Sequence, residues 1–178
     1  MHVTLRARQG LPSLRATWLF PIVRNAIAAS RKATFHVIAF SVQHDHMHLI
    51  VEAQDKQTLS RGVVGLVTRA ARAINRRLGC VGHVWGDRCY SRALTTPREV
   101  RNGIVYVLAN GRKHGVAMGP GVDPCSSAAW FDGFRGDTAR PTGSSPVSSP
   151  RTWLAAIGWR RHGLIGVDEA PRSRRYIS

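Results

Sequence analysis

The fold is decided by the stretch Gln43-His44-Asp45-His46-Met47-His48-Leu49-Ile50-Val51-Glu52-Ala53, in which alternating histidines run into an apolar, β-branched sequence. This composition predicts a β-strand. Successive side chains of a strand point to opposite faces, so His46 and His48 would share one face, with Met47 and Leu49 on the other. Imidazole binds divalent metals, and such a pair would supply two ligands. A histidine-rich surface strand without a metal is the alternative interpretation.

The composition indicates one main domain with a basic surface. The chain has 178 residues, 43% of them hydrophobic, and 26 Lys and Arg against 10 Asp and Glu give a net charge of +16. Residues 1–115 hold 18 basic and 5 acidic side chains, so the positive charge belongs mainly to this part. Arginine dominates, and its planar guanidinium suits phosphate groups, which favours a nucleic-acid partner.

The cysteines and the hydropathy pattern indicate the cellular compartment in which the protein is expected. The three cysteines lack a Cys-x-x-Cys spacing, which argues against a disulfide framework or a zinc knuckle. No apolar run has the length of a membrane span, and the N-terminus lacks the plan of a signal peptide. We therefore expect a cytoplasmic protein with no membrane partner.

The periodicity predicts strand, helix, strand, strand, helix, strand, and then a further helix. The predicted segments are 2–8, 17–32, 35–42, the histidine strand, 56–78, 84–94 and 96 to about 113. This order is that of the ferredoxin-like, split βαββαβ fold, an α+β architecture with an antiparallel sheet. Two helices would cover one face and leave the other for a substrate and the last helix.

Two segments suggest contacts to nucleic acid. In the helix over 56–78, arginines fall outside the apolar stripe, and in the strand over 84–94 basic and aromatic side chains share one face. The second face could follow phosphates and stack bases, or it could be a solvated sheet edge. The candidate DNA contacts are Arg69, Arg72, Arg76, Arg88, Tyr90, Arg92 and Lys113.

The last strong helix places a tyrosine and an amide one turn apart. Thr96 and Glu99 have the spacing of a capping box at its start. Its apolar stripe is formed by Val100, Ile104, Val107 and Leu108. Tyr106 and Asn110 would lie on the opposite, polar face, where Tyr106 is either an exposed helical tyrosine or a nucleophile.

Residues 116–178 differ from the rest. Glycines and prolines interrupt any helical or strand periodicity, and residues 140–150 have the composition of a flexible linker. A short helix near 152–162, with Trp153, Leu154 and Ile157 as its apolar side, is expected to dock back onto the domain.

Taken together, these motifs resemble the single-tyrosine HUH endonucleases, above all the REP-associated tyrosine transposases and the small insertion-sequence transposases. His46-Met47-His48 matches the HUH triplet, and Tyr106-Val-Leu-Ala-Asn110 matches the nucleophile with its following amide. The intervening segments Gly86-Asp87-Arg88, Arg92-Ala93-Leu94 and Arg98-Glu99-Val100-Arg101 are similar as well. The resemblance covers roughly residues 2–115.

The resemblance implies that residues 1–115 are a catalytic domain that cleaves and rejoins single-stranded DNA at hairpin-forming repeats. Tyr106 would form a 5′-phosphotyrosine, with Mg²⁺ or Mn²⁺ held by His46, His48 and Asn110. A homodimer is compatible with this expectation.

Two other functions remain open from the sequence. The first is a basic nucleic-acid-binding protein without catalytic activity. The second is a His-x-His metallohydrolase that uses water, which needs a carboxylate base such as Asp45, Asp87 or Glu99.

Overall fold

The computed structural model describes residues 1–86, 89–113, 121–136 and 141–171; of Arg112 and Lys113 it describes the backbone. Its strands are β1 (His2–Arg6), β2 (Phe35–Val42), β3 (His46–Ala53) and β4 (Tyr90–Arg92). Its helices are α1 (Phe20–Ala28), α2 (Lys56–Leu78), α3 (Pro97–Leu108), α4 (Asn110–Lys113) and α5 (Trp153–Ala156), with 3₁₀ turns at Ala128–Trp130 and Gly158–His162.

The four strands form one antiparallel sheet in the order β2-β3-β1-β4. This confirms the predicted ferredoxin-like arrangement, in which β1 and β3 are the central strands. β4 is much shorter than the predicted strand over 84–94, because Trp85 makes only an isolated bridge to Ala7. Residues 87 and 88 lie outside the described part of the chain.

Helices α1 and α2 cover one face of the sheet. Met47, Leu49 and Val51 of β3 point into this layer and are fully buried, as are Leu66 and Ile74 of α2. The helical period of α2 leaves its arginines outward, where Arg69, Arg72 and Arg76 are exposed. These three candidate DNA contacts therefore lie across the sheet from the face that bears His46 and His48.

Helix α3 packs on the opposite face, against β2 and β3. Its start confirms the predicted capping box, since Thr96 accepts from the Glu99 amide and Glu99 accepts from the Thr96 amide. The prediction of a solvent-exposed polar face was wrong for the second half of the helix. Tyr106 is only 7% exposed, and its neighbours from Gly103 to Leu108 are all buried.

The burial of α3 results from the C-terminal segment, residues 141–171, which packs over the helix from the other side. Trp159 is 1% exposed and lies in one core cluster with Val105, Ala155 and Ile165. The expected docking is thus observed, and the predicted contact Leu154 packs against this cluster, but the predicted contacts Trp153 and Ile157 are largely exposed. Trp153, one of the predicted apolar contacts, is 47% exposed.

Glu52, at the end of β3, anchors this segment to the sheet. Its carboxylate accepts hydrogen bonds from the backbone amides of Arg151 (2.8 Å) and Thr152 (2.9 Å), from the Thr152 hydroxyl (2.5 Å) and from His36 Nε2 (2.9 Å). Burial pushes the pKa of Glu52 upward, but these hydrogen bonds outweigh it and hold the pKa below its ordinary value. The ionised carboxylate therefore stabilises the docked segment.

We expect Glu52→Gln to lower the free energy of unfolding by about 1–3 kcal/mol at pH 7, because the amide replaces a charged acceptor of several hydrogen bonds. The folded-state pKa of Glu52 lies below its unfolded value of about 4.5, so its contribution is present above that pH and is lost as the pH falls further. Urea denaturation at pH 7 and pH 3.5 should show the difference between wild type and variant shrinking at low pH.

The matched control is Asp168→Asn, which removes one exposed carboxylate of the same C-terminal segment. A difference between wild type and Glu52→Gln that is equal at the two pH values would contradict the anchoring role.

Candidate active site

The pairing of β1 with β3 assembles three histidines on the α3 face of the sheet. Thr4 lies opposite His48 in the antiparallel register, and His2 lies two pairs further along, on the same face of the sheet. The His2 and His48 ring centroids are 5.3 Å apart, and those of His46 and His48 are 4.9 Å apart. We call His2, His46 and His48 the histidine cluster; all three are buried.

Tyr106 reaches this cluster from α3. Its ring lies edge-on to His48 with centroids 5.0 Å apart, and edge-on to His2 at 5.6 Å. The sequence thus singled out the two ends of a real contact, His48 and Tyr106, which lie 58 positions apart along the chain. Burial raises the pKa of the Tyr106 phenol, so its environment favours the protonated form.

The hydrogen bonds of the two predicted ligand histidines suit metal binding through Nε2. His46 Nδ1 lies 2.7 Å from the Asp45 carboxylate, and His48 Nδ1 lies 3.0 Å from the Thr4 hydroxyl. When Nδ1 carries the proton it donates to these oxygens, and the lone pair is then on Nε2. The hydrogen bond to His46 is also the main reason why the pKa of Asp45 is lowered. Oxygen partners of this kind orient metal-bound histidines.

Asn110 offers a third oxygen ligand. Its side chain is 0% exposed, and within the described part of the chain neither its amide oxygen nor its amide nitrogen has a hydrogen-bond partner. An unsatisfied buried amide is costly, and a cation would satisfy its oxygen. In the same part of the chain no three His, Cys, Asp or Glu side chains are arranged to hold a metal ion. The Nε2 atoms of His46 and His48 could hold a metal, and the buried, unpartnered Asn110 amide is a candidate for a further ligand.

His2 is the site residue that the sequence interpretation missed. Its Nε2 lies 3.3 Å from His48 Nδ1, and its side chain is 3% exposed. Burial, the N-terminal amine and Arg92 lower the pKa of His2 to about 4, so the ring is neutral near pH 7. The alternation in β1, combined with the ferredoxin-like pairing of the first and third strands, was the signal that could have identified it.

The predicted DNA contacts fall into three groups. Tyr90 and Arg92 pair with Thr4 and His2, so they extend the histidine face, where Tyr90 is 44% exposed and Arg92 also pairs with Glu99 at 2.7 Å. Arg88 and the side chain of Lys113 lie outside the described part of the chain. The exposed arginines of α2 are not brought to the site.

The carboxylates that a hydrolase would need as a base are already engaged. Asp45 pairs with His46, and Glu99 accepts hydrogen bonds from Thr95, Thr96 and Arg92. Asp87 is outside the described residues. Within the described part of the chain, neither Asp45 nor Glu99 is thus a free carboxylate base.

Comparisons with known proteins agree with the resemblance stated from the sequence. Residues 17–96 match the family model described as "Transposase IS200 like". The fold is similar to a solved structure of a REP-associated tyrosine transposase bound to a REP hairpin, with a TM-score of 0.53, 21% identity, and coverage of 65% of this chain and 68% of that chain. No curated protein matches the sequence. In the described residues no helix is long and apolar enough to cross a membrane.

We expect Thr4→Val to weaken Mn²⁺ binding about tenfold, because valine keeps the shape of threonine but removes the oxygen that fixes the His48 ring. This loss of Mn²⁺ affinity is at the low end of what removal of a ligand's hydrogen-bond partner usually causes, since His2 Nε2 remains near His48 Nδ1. Titration of free Mn²⁺ by electron paramagnetic resonance measures it. Thr4→Ser restores the hydroxyl and should restore the affinity, whereas equal affinities for all three proteins would contradict the role of Thr4.

Proposed function

We propose that this chain, whose residues 17–96 match the IS200-like transposases, is a DNA strand transferase that cleaves and rejoins single-stranded DNA through Tyr106. The observation that carries the proposal is the edge-on contact between Tyr106 and His48, with ring centroids 5.0 Å apart, inside a buried histidine cluster. A buried tyrosine in contact with the imidazoles of His48 and His2, and followed four residues later by the unsatisfied amide of Asn110, is suited to phosphoryl transfer.

The proposed step is a transesterification at one phosphodiester. The Tyr106 oxygen forms a bond to phosphorus and loses its phenolic proton to water, while the bond from phosphorus to the 3′-oxygen breaks and that oxygen takes up a proton. The products are a 5′-phosphotyrosine and a free 3′-OH. The ester conserves the phosphodiester, so the 3′-OH of another strand can attack it and release Tyr106. This transesterification requires no nucleotide cofactor.

Two electrostatic problems oppose this step. Burial keeps the phenol protonated, and the phosphate is an anion that repels a phenolate. A bound Mg²⁺ or Mn²⁺ would supply positive charge to the phosphate. His46, His48 and Asn110 would hold the ion, and Asp45 and Thr4 would keep both imidazoles in the productive tautomer.

The DNA is proposed to reach the site along the histidine face, past Tyr90 and Arg92. The similar solved transposase is bound to a REP hairpin, and this supports a hairpin with a single-stranded flank as substrate. An exposed tyrosine beside an arginine can stack a base and contact a phosphate. The contact between His48 and Tyr106 within one chain supports a Tyr106 that acts in its own subunit.

We expect the wild-type protein, incubated with Mn²⁺ and a labelled hairpin oligonucleotide with single-stranded flanks, to form a denaturation-resistant adduct. The adduct should join Tyr106 to the 5′-phosphate of the downstream fragment, and the upstream fragment should end in a free 3′-OH. Tyr106→Phe should abolish adduct and cleavage together, because the ring remains and the nucleophile does not. Gel electrophoresis and peptide mapping of the adduct measure both. Cleavage by Tyr106→Phe that leaves a free 5′-phosphate would show that water is the nucleophile.

Removal of the metal ligand His48 should separate catalysis from binding. We expect His48→Ala to lower the cleavage rate at least about 100-fold while the affinity for the uncleaved hairpin changes little, since phosphate and base contacts lie elsewhere. Cleavage assays and fluorescence anisotropy on the same oligonucleotide provide the two readouts. His44→Ala is the control, because His44 is exposed and precedes β3.

Full cleavage by the wild type in excess EDTA would overturn the metal assignment. Hairpin binding by the wild type with no cleavage under any metal condition would instead favour the non-catalytic binding protein.

A further inference from the structure

A cavity of about 240 Å³ lies between α3 and the C-terminal segment, and Tyr106 forms part of its wall. Arg98, Arg101 and Asn102 line it from α3, and His162 and Glu169 line it from the other side. Tyr106 is thus shared between the histidine cluster and this cavity. The cavity is smaller than the roughly 300–1,000 Å³ of sites for drug-sized ligands, so it can enclose only part of a nucleotide, such as its base or its phosphate.

The helical repeat of α3 arranges the lining in a row. Arg98, Asn102 and Tyr106 are spaced by four residues, so they lie on one face of the helix and span about 12 Å along its axis. A strand that places a phosphate at Tyr106 and continues along this row meets a carboxamide and then a guanidinium. The row therefore offers a base-edge contact and a phosphate contact in sequence.

The two arginines of the cavity have different roles. Arg101 forms two hydrogen bonds with the Glu169 carboxylate, at 2.6 and 2.9 Å, and its Nε donates to the Gly163 carbonyl at 2.9 Å. The pairing with Arg101 is the main cause of the lowered pKa of Glu169. Arg101 is therefore engaged in holding the C-terminal segment against α3.

Arg98 is exposed, and among the described residues no carboxylate pairs with it. Because Glu169 is neutralised by Arg101, Arg98 leaves the cavity with an excess positive charge. His162, which is also exposed, adds a further polar group on the opposite wall. This lining suits an anionic, hydrogen-bonding occupant and is unsuited to an apolar one.

We propose that the cavity binds the nucleotide next to the scissile phosphodiester of a single-stranded DNA, with Arg98 on its phosphate and Asn102 on its base edge. The proposal rests on the proposed function, since it names the part of the substrate that lies beside Tyr106. Arg98 and Asn102 are the residues that select and position this nucleotide.

The test uses the full-length Tyr106→Phe protein, which binds without cleaving, and a fluorescein-labelled hairpin oligonucleotide with single-stranded flanks. Abasic sites and neutral methylphosphonate linkages are placed at each flank position in turn, and affinities are measured by fluorescence anisotropy. One abasic position should lower the affinity about tenfold, and Asn102→Ala should cause no further loss with that oligonucleotide. One methylphosphonate should likewise lower it about tenfold, with no further loss from Arg98→Ala.

Arg61→Ala is the matched control, because Arg61 is an exposed arginine on α2, across the sheet from the cavity. Its effect should be smaller than that of Arg98→Ala and independent of the modified position. Circular dichroism and thermal unfolding of each variant establish that the fold is retained.

The cavity assignment would be overturned if, at every modified position, the affinity lost through the modified oligonucleotide simply added to the affinity lost through the protein variant. It would also be overturned if no modified position lowered the affinity. The wild-type adduct is measured separately on the unmodified oligonucleotide. An adduct together with additive losses rejects this inference alone, whereas no adduct in the wild type rejects the proposed function on which it rests.

Discussion

The antiparallel pairing of β1 with β3 is the constraint on which the rest of the site depends. It places Thr4 opposite His48 and brings His2 Nε2 within 3.3 Å of the His48 imidazole. The register of the two central strands therefore determines the position of the His48 ring. The two helices on the other face bury Met47 and Leu49 completely, and a strand with one face locked into a core cannot turn its histidines away. The site is therefore preorganised by the sheet.

The second requirement is the enclosure of α3 between the sheet and the C-terminal segment. Glu52 holds the segment from β3, and Arg101 holds it from α3 through Glu169. Trp159 fills the space between them. The segment is thus part of the wall around Tyr106, and this explains why a tyrosine on an otherwise polar helix face is nearly inaccessible in the structure.

Much of this arrangement could be predicted from local patterns. The alternation of His46 and His48, the helical period of α2 and the capping box at Thr96 each depend on neighbours in sequence, so a single chain reveals them. The pair Tyr106 and Asn110 was identified by its spacing. The burial of Tyr106 could not be, because it depends on residues 141–171, whose fold is irregular and which reach α3 only through long-range contacts. His2 was missed for a related reason, since its partner is chosen by strand pairing and not by spacing.

The placement of His46, His48 and Glu52 on one face of a single strand has a consequence for how the gene can change. Adding or deleting one codon within β3 would move every following side chain to the other face of the sheet, so that histidines would point into the core and core residues out of it. The metal ligands, the packing of the helical layer and the anchor of the C-terminal segment would fail in one event. Length variation among descendants of this chain should therefore accumulate in the connection of residues 29–34 before β2 and spare β3, where substitution is the only tolerated form of change.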